Sequence, residues 1–197
     1  MSLQQLDHRA LTLARTCAHR PRVERAIGAY SRLGEHAACW LALGVAGSVL
    51  DRDRVRRRAW LRGVRIVAGA YALNLAVKLA VRRPRPHLSG LPALTPTVSR
   101  LSFPSAHATT SWAAARAYRG LAPAAALYGA AGAFAISRPY LGVHYPSDVL
   151  AGALIGTALA ELWPLGSGPP SPPPPRRDAR SRRRRAPRPS DARGARR

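Results

Sequence analysis

The chain is poor in residue types from which metal and redox sites are built. It has two cysteines, Cys17 and Cys39, whose spacing fits neither a metal site nor a redox pair. Only nine acidic residues stand against 32 Lys and Arg, and Asp148 is the only acid between Asp53 and Glu161. The central part of the chain therefore offers no convincing cluster of metal ligands.

Long hydrophobic runs and a secretory leader are also missing. The longest uncharged stretch covers residues 120–137, and shorter ones cover 37–50, 66–77, 108–115 and 149–160. A bilayer-spanning helix needs about 20 apolar residues, so hydropathy alone leaves a soluble helical bundle open. Residues 1–17 contain charged side chains and no apolar core typical of a signal peptide. An outward-facing active site would therefore require that the mature chain itself spans the membrane.

Two features favour a membrane protein. Small residues recur at helix-packing spacing, as in the pairs Gly152/Gly156 and Gly129/Ala133. The four tryptophans lie near the ends of the apolar segments, where interfacial aromatic residues are expected; they are Trp40, Trp60, Trp112 and Trp163. We predict an all-α, integral-membrane bundle of five to six helices, five of which come from the apolar segments.

The formal net charge of +23 indicates an anionic partner. Nucleic acid is the usual partner of so basic a chain, but no nucleic-acid-binding module is recognisable and long stretches carry no charge, so no specific nucleic acid is expected. Basic residues crowd the edges of apolar runs instead, which fits anionic lipid.

The distribution of arginines predicts a multi-pass orientation in the cell membrane. Five arginines lie in residues 51–58, Arg116 and Arg119 mark another turn, and the C-terminal tail holds eleven. With five spans these groups share one side, which the positive-inside rule makes cytoplasmic. The same parity places the six arginines of residues 1–34 outside. Either that segment is cytoplasmic or re-entrant and the span count differs, or the orientation is weakly determined.

The chain divides into three parts. Residues 1–34 are amphipathic, with Pro21 expected to break any helix there, and they fit an interfacial helix and a soluble surface helix equally well. Residues 35–165 form the predicted membrane-embedded domain. Residues 166–197 are rich in Pro and Arg, and we expect them to be disordered, cytoplasmic and attracted to lipid headgroups. The oligomeric state stays open.

Three short motifs lie beside the ends of apolar segments, all on one side of the predicted bundle. Lys78, the only lysine, precedes Arg85-Pro86; residues 104–107 read Pro-Ser-Ala-His; Ser137-Arg138 is followed by His144 and then Asp148. Together they supply cations, imidazoles, a carboxylate and a hydroxyl that can hold a phosphate. The candidate site residues are Lys78, Arg85, Ser105, Ala106, His107, Arg138, His144 and Asp148.

The placement of the motifs at helix starts suits an anion. Ser105 stands where an N-cap belongs, and the backbone amides of such a terminus favour negative charge. Residues 146–148, Pro-Ser-Asp, open the last helix in the same way. Because His144 and Asp148 straddle Pro146, we expect them to meet across a turn.

These three motifs resemble the signatures of the type 2 phosphatidic acid phosphatase family, which shares its site with bacterial acid phosphatases and vanadium haloperoxidases. The resemblance covers residues from about 60 to 163. Two departures stand out. Ala106 replaces a more usual Gly, which preserves the amide for phosphate binding if that position does not need a positive φ. The first of the family's usual six helices is reduced to the amphipathic N-terminus.

The resemblance implies a role for each site residue. His144 would attack phosphorus to give a phosphohistidine. Asp148 would accept a hydrogen bond from the other ring nitrogen of His144. His107 would protonate the leaving oxygen and then activate water. The other five candidates would hold the phosphate oxygens, and neither a metal nor another cofactor is expected; they are Lys78, Arg85, Ser105, Ala106 and Arg138.

Residues beside the first motif receive a different interpretation. Arg82, Arg83 and His87 are expected to be solvated or to contact lipid headgroups. The loop 87–102, which contains Pro and Gly, is expected to cover the headgroup of the substrate.

The leading hypothesis is therefore a membrane lipid phosphatase with an extracytoplasmic site. Its candidate substrates are phosphatidic acid, undecaprenyl diphosphate and a polyprenyl-phosphoryl ribose 5-phosphate of cell-wall synthesis. The last is favoured because short, Arg/Ala-rich chains with a Ser-Ala-His motif are similar to actinobacterial cell-wall enzymes. The alternatives are a vanadate-dependent haloperoxidase and a non-catalytic basic protein that binds membranes or nucleic acid.

Overall fold

The computed structural model describes residues 2–163, so the expected disorder of the 166–197 tail lies outside the described residues. Within that range the chain forms seven α-helices and one 3-10 turn, Glu35–Ala37, with no β-strand. The helices are α1 Leu3–Thr16, α2 Pro21–Leu33, α3 Ala38–Leu50, α4 Arg54–Val81, α5 Ala106–Ala117, α6 Ala124–Tyr140 and α7 Pro146–Leu162. The prediction of an all-α bundle is confirmed.

The five apolar segments become α3 to α7, as expected. The amphipathic segment forms two helices, because Pro21 stands at the first position of α2 and lacks the N–H that a continuous helix would need. Asp53 caps the start of α4, accepting a hydrogen bond from the backbone N–H of Val55 at 2.7 Å.

Helix α5 lies at the centre of the bundle and packs most extensively against α7. Small residues make this approach possible: a Cβ atom added to Gly152 would lie 2.7 Å from the carbonyl oxygen of Ser105, and one added to Gly156 would overlap the carbonyl oxygen of Thr109. The predicted small-residue packing is confirmed for this pair. It is wrong for Gly129, whose missing Cβ would have no neighbour within 4 Å.

The expectation of interfacial tryptophans is wrong for two of the four. Trp40 and Trp60 are buried in the main hydrophobic cluster. The indole N–H of Trp40 donates to Oγ of Ser111 at 2.8 Å, and that of Trp60 to Oδ2 of Asp51 at 3.3 Å. A tryptophan near the end of an apolar segment has a known height along the bundle, but the sequence does not determine whether its ring points inward or outward.

Length and composition identify few membrane-crossing helices in the described part of the chain. Helix α4, with 28 residues, meets the requirement by itself, and α2 and residues 35–50 meet it only together, as a pair bent by 48°. Helices α6 and α7 have 17 residues each, about 26 Å at 1.5 Å per residue. Their outer faces are strongly apolar, with Ile136, Leu150 and Leu154 more than 60% exposed.

The chain adopts an unusual backbone between α2 and α3. His36 and Ala37 have positive φ angles of 52° and 59°, a left-handed conformation that side chains with a Cβ seldom adopt. This bend directs Glu35 and His36 toward the end of the bundle where the three motifs meet. Backbone strain of this kind is concentrated at functional sites.

Candidate active site

The three motifs converge on one cavity at one end of the bundle. Its wall comes from the last turn of α4, the loop that follows, the start of α5, the end of α6 and the turn before α7. Six of the eight predicted site residues line it: Lys78, Arg85, Ala106, His107, Arg138 and His144. Ser105 and Asp148 are fully buried directly behind this wall.

His144 lies in the turn before α7 with its Nε2 atom 3.1 Å from Nη1 of Arg85. Arg85 is anchored by the carbonyl oxygens of Ser99 and Val143, each at 2.7 Å. A guanidinium only donates, so Nε2 must accept, and the ring proton must sit on Nδ1. Burial lowers the pKa of His144 well below its ordinary value, and the charges of Arg138, Arg85 and Lys78 lower it further. The ring is therefore neutral, with the lone pair of Nε2 unprotonated.

Asp148 lies behind His144, across the turn, as expected. Its Oδ2 is 3.6 Å from Nδ1 of His144, and Nδ1 has no hydrogen-bond partner. The expected hydrogen bond between them is thus not formed in this structure, although the two groups are within ion-pair distance. Oδ2 instead accepts from the backbone N–H of Tyr145 at 2.9 Å, because Asp148 occupies the third position of α7 and reaches back to its start.

His107 lies in the first turn of α5, on the wall of the same cavity. Its Nε2 is 2.9 Å from the carbonyl oxygen of Ser31. A carbonyl only accepts, so Nε2 carries a proton, and Nδ1 is the nitrogen left to exchange one with a ligand. Ser31, in α2, was not predicted as a site residue. It also accepts a hydrogen bond at its Oγ from Nη1 of Arg138.

Of the six buried side-chain atoms without a hydrogen-bond partner in residues 2–163, three belong to predicted site residues. Ser105 is the N-cap residue of α5, as expected, but its side chain makes no cap hydrogen bond. Its Oγ is buried without a partner, as is Nε of Arg138. Unpaired buried groups are costly, and a tetrahedral anion between these side chains would pair both. Lys78 Nζ, 3.1 Å from the carbonyl oxygen of Leu101, adds a third charge to that of Arg85 and Arg138.

The replacement of Gly by Ala at position 106 is compatible with the backbone. Ala106 is the first residue of α5, and it is not among the residues with positive φ. Its amide therefore stays available at the helix N-terminus, where the helix dipole favours an anion.

Residues 59–167 match the family model described as the PAP2 superfamily. The chain belongs to the PAP2 superfamily. Decaprenylphosphoryl-5-phosphoribose phosphatase of Mycolicibacterium smegmatis is 44% identical over 140 residues, which cover 68% of this chain and 74% of the relative. The enzyme of the same name from Mycobacterium tuberculosis H37Rv is 41% identical over 137 residues, 67% of this chain and 73% of the relative.

Solved PAP2 structures show the same fold. A transmembrane PAP2-type phosphatidylglycerolphosphate phosphatase from Bacillus subtilis superimposes with a TM-score of 0.63 at 24% identity, covering 81% of this chain and 83% of that one. LpxE of Aquifex aeolicus gives a TM-score of 0.63 at 22% identity, covering 79% and 93%. This PAP2 chain is therefore a phosphatase with the fold of a membrane protein.

Several residues support the PAP2 motifs without belonging to them. Asn74, one helical turn before Lys78, donates through Nδ2 to the carbonyl oxygen of Pro104 at 3.2 Å and to Oγ1 of Thr109 at 2.9 Å. It thereby ties α4 to the second motif. An amide side chain in an otherwise apolar stretch, four residues before Lys78 and so on the same helix face, was a signal that could have identified Asn74 as a supporting residue of the site.

Arg83 is a correction to the sequence interpretation. It was expected to be solvated or to contact headgroups, but its Nη1 lies 2.7 Å from Oδ1 of Asp148.

No group of three or more His, Cys, Asp or Glu residues within 2–163 is arranged to hold a metal ion.

Proposed function

We propose that the chain hydrolyses the terminal phosphate of a polyprenyl-phosphoryl ribose 5-phosphate through a phosphohistidine on His144. The position of His144 on the cavity wall, with its Nε2 3.1 Å from Nη1 of Arg85, is the observation that supports this best. Nε2 attacks phosphorus as the bond to the sugar oxygen breaks. His107, whose Nε2 proton is held by the carbonyl oxygen of Ser31, takes a proton at Nδ1 from the phosphate monoanion of the bound substrate and gives it to the departing oxygen. Nδ1 then takes a proton from the water that attacks the phosphohistidine.

The cations of the cavity hold the transferring phosphoryl group. Lys78, Arg85 and Arg138 neutralise the charge on its oxygens, and Oγ of Ser105 and the amide of Ala106 donate to them. Asp148 favours the Nδ1-protonated form of His144 and stabilises the ring as it becomes charged. Lys78, Arg85, Ala106 and Arg138 line the cavity without substrate, which supports this part of the proposal.

The outer wall of the cavity supports a sugar between phosphate and lipid. Glu35, His36 and Tyr71 line it, and Nδ1 of His36 is 2.7 Å from the hydroxyl of Tyr71. A carboxylate, an imidazole and a phenol together can donate to and accept from the hydroxyls of a ribose, which phosphatidic acid lacks. Leu75 and Val98, both strongly exposed, form an apolar border suited to the start of a prenyl chain.

Phosphate release from a defined panel tests the substrate. The purified protein in detergent should release phosphate fastest from a polyprenyl-phosphoryl ribose 5-phosphate, more slowly from undecaprenyl diphosphate and phosphatidic acid, and poorly from free ribose 5-phosphate. Glu35→Gln should lower kcat/KM for the sugar substrate about 10- to 100-fold, since a hydrogen bond to a charged group contributes about 1.5–3 kcal/mol. The rate on phosphatidic acid should not change. Equal loss on both lipids would contradict the sugar subsite.

The site is proposed to face away from the cytoplasm. Arg56 donates to the carbonyl oxygens of Gly120 and Leu121. The Arg-rich connection 51–58 and the turn that follows Arg116 and Arg119 therefore lie at the same end of the bundle. The positive-inside rule assigns such an end to the cytoplasm. Fluorescent-protein and alkaline-phosphatase fusions at residue 165 test this: fluorescence with inactive alkaline phosphatase is expected, and the reverse result would contradict the orientation.

Attraction of the tail to anionic lipid is a separate part of the proposal. Its eleven arginines would each contribute about 1 kcal/mol near an anionic surface. Removal of residues 166–197 should therefore weaken binding to vesicles containing phosphatidylglycerol while phosphate release in detergent is unchanged. Lost turnover in the truncated protein would show that the tail is needed for hydrolysis itself and would contradict a role limited to membrane binding.

A further inference from the structure

The guanidinium of Arg83 connects two carboxylates that are far apart in the chain. Its Nη1 lies 2.7 Å from Oδ1 of Asp148, and its Nη2 lies 2.8 Å from Oδ2 of Asp7. The side chains of Asp7 and Asp148 are 3% and 0% exposed, and that of Arg83 is 25% exposed. One cation thus serves a carboxylate of the candidate site and a carboxylate of α1, the amphipathic N-terminal helix.

Neighbouring groups fix the plane of this guanidinium. Its carbon atom lies 4.1 Å from the centre of the Tyr145 ring, and Nη1 also donates to Oγ of Ser147 at 2.8 Å. Asp7 is held in turn by Ser147, which donates to it through both its backbone N–H, at 2.9 Å, and its hydroxyl. Burial alone would raise the pKa of Asp7, but the hydrogen bonds from Arg83 and Ser147 outweigh it and leave the pKa below its ordinary value.

Asp148 presents its two oxygens to different partners. Oδ1 faces Arg83, whereas Oδ2 accepts from the backbone of Tyr145 and faces Nδ1 of His144. Since both oxygens belong to one rigid carboxylate, a contact that fixes Oδ1 also determines how close Oδ2 comes to the ring of His144. The distance of 3.6 Å between Oδ2 and Nδ1 is short enough for a small rotation to form or lose the hydrogen bond.

Helix α1 is fastened to the bundle along a single face. Asp7, Leu11 and Arg15, spaced four residues apart, are its buried residues. At the far end, Arg15 donates to the carbonyl oxygens of Pro92 at 2.8 Å and Tyr140 at 3.3 Å. Leu6 and Leu13 point outward and are exposed. The helix is therefore docked by polar contacts at both ends and keeps an apolar face free for the membrane interface.

We propose that Arg83 is a positioning residue for Asp148 and that Asp7 of α1 acts through it, so that docking of α1 sets the geometry of the His144–Asp148 pair. This rests on the roles proposed above for those two residues. With α1 docked, Arg83 is held by Asp7 and keeps Oδ2 of Asp148 3.6 Å from Nδ1 of His144, from where a small rotation forms the hydrogen bond once the ring is charged. With α1 undocked, Nη2 of Arg83 loses its carboxylate, the guanidinium is held from one side only, and Oδ2 of Asp148 is no longer fixed relative to Nδ1 of His144.

The test compares kcat and KM for the preferred lipid in detergent. Arg83→Gln should lower kcat about 10- to 100-fold, as loss of a group that orients a functional imidazole does, and should leave KM within about threefold. Arg83→Lys, which keeps the charge and can reach only one carboxylate, should recover part of the rate. Asp7→Asn should lower kcat less, and should add almost nothing when combined with Arg83→Gln, because Asp7 acts through Arg83.

Two matched controls separate positioning from general loss of charge. Arg82→Gln removes a cation from the exposed neighbour of Arg83, and Asp53→Asn removes a carboxylate from the opposite end of α4 while keeping a good N-cap residue. Both should retain wild-type kcat. If Arg83→Gln fails to fold, Arg83→Lys and Asp7→Asn still decide the matter, because each alters the contact with little change in volume.

Different results would overturn different parts of the proposal. Wild-type kcat in Arg83→Gln and Asp7→Asn would overturn the positioning role and leave the nucleophile untouched. Additive losses in the double variant would show that Asp7 does not act through Arg83. Turnover by His144→Ala would overturn the proposed function itself, which no variant of Arg83 or Asp7 can do.

Discussion

Nη1 of Arg85 lies 3.1 Å from Nε2 of His144, and the same guanidinium is anchored by the carbonyl oxygens of Ser99 and Val143. This contact determines which nitrogen of the ring is protonated, because a guanidinium has no acceptor to offer. It also places a fixed positive charge beside the atom proposed to attack phosphorus. A single residue of the first motif thus contacts the proposed nucleophile and lines the cavity proposed to hold the phosphate.

The division of labour between the two histidines predicts different phenotypes for their variants. His144→Ala should abolish turnover and form no phosphohistidine, because the attacking atom is gone. His107→Ala should still form the phosphohistidine from an aryl phosphate, whose leaving group needs no proton, but should hydrolyse it slowly. Acid-quenched phosphoenzyme formed with radiolabelled substrate measures both. A phosphohistidine in His144→Ala at the wild-type level would refute the assignment.

The depressed pKa of His144 has a consequence for the pH profile. Its ordinary value is 6.5, and burial and three cations lower it. Activity that needs the neutral ring should therefore persist as the pH falls through 6.5 and decline only below it. The same lowered pKa makes the folded state less stable in acid. Below about pH 6.5 His144 binds a proton in the unfolded chain but not in the folded chain, so it lowers the free energy of unfolding there.

A substrate phosphate that titrates near pH 6 complicates this measurement. The profile of kcat/KM should therefore be recorded with two substrates whose phosphates differ in pKa, and the acid limb common to both belongs to the free enzyme. A shared acid limb at or above pH 6.5 would show that His144 is not held in its neutral form.

Ser105 should show opposite effects on activity and stability. Its buried hydroxyl has no partner, so Ser105→Ala should leave the free energy of unfolding unchanged or raise it by up to about 1 kcal/mol. The same change should lower kcat/KM about 10- to 100-fold, because a donor to the charged phosphoryl group is lost.

Ser111 is the matched control for that experiment. It lies on the same helix, and its hydroxyl accepts from the indole of Trp40. Ser111→Ala should lower stability by about 1–3 kcal/mol and leave kcat unchanged, since it orphans a buried donor far from the cavity wall. If Ser105→Ala instead loses stability and retains kcat/KM, its hydroxyl has a structural role.

The features of the site that could be predicted from the sequence are those that local chemistry determines. Each motif stands at a helix end, and a helix start prepared by Pro and Ser leaves amides free for an anion whatever the surrounding fold. This accounts for Ala106 and His107 at the start of α5 and for the turn that brings His144 near Asp148. The other predicted residues of the cavity wall followed from the resemblance of the motifs to those of a known family.

Contacts between distant segments could not be predicted in this way. Arg83 is one of many arginines, and its significance depends on Asp7, which is 76 residues earlier in the chain. Ser31 and Glu35 reach the site from α2 and from the turn after it, where the backbone bends at His36 and Ala37, and an alanine side chain gives no reason to adopt positive φ. Likewise, the burial of Trp40 depends on the rotation of α3 about its axis.

The two small-residue pairs offer a final test of packing, because identical spacing leads to different surroundings. Gly156→Ala would force a methyl group into the backbone of Thr109, where α7 meets α5, and should destabilise the fold by about 1–3 kcal/mol or more. Gly129→Ala places the same methyl group in open space on α6 and should stabilise it by about 0.5–1 kcal/mol, since alanine is the better helix former. Thermal unfolding in one detergent measures both. Equal shifts in Tm would mean that α5 and α7 are not in backbone contact at Gly156, and the start of α5, which carries Ser105 and His107, would then lack its closest support.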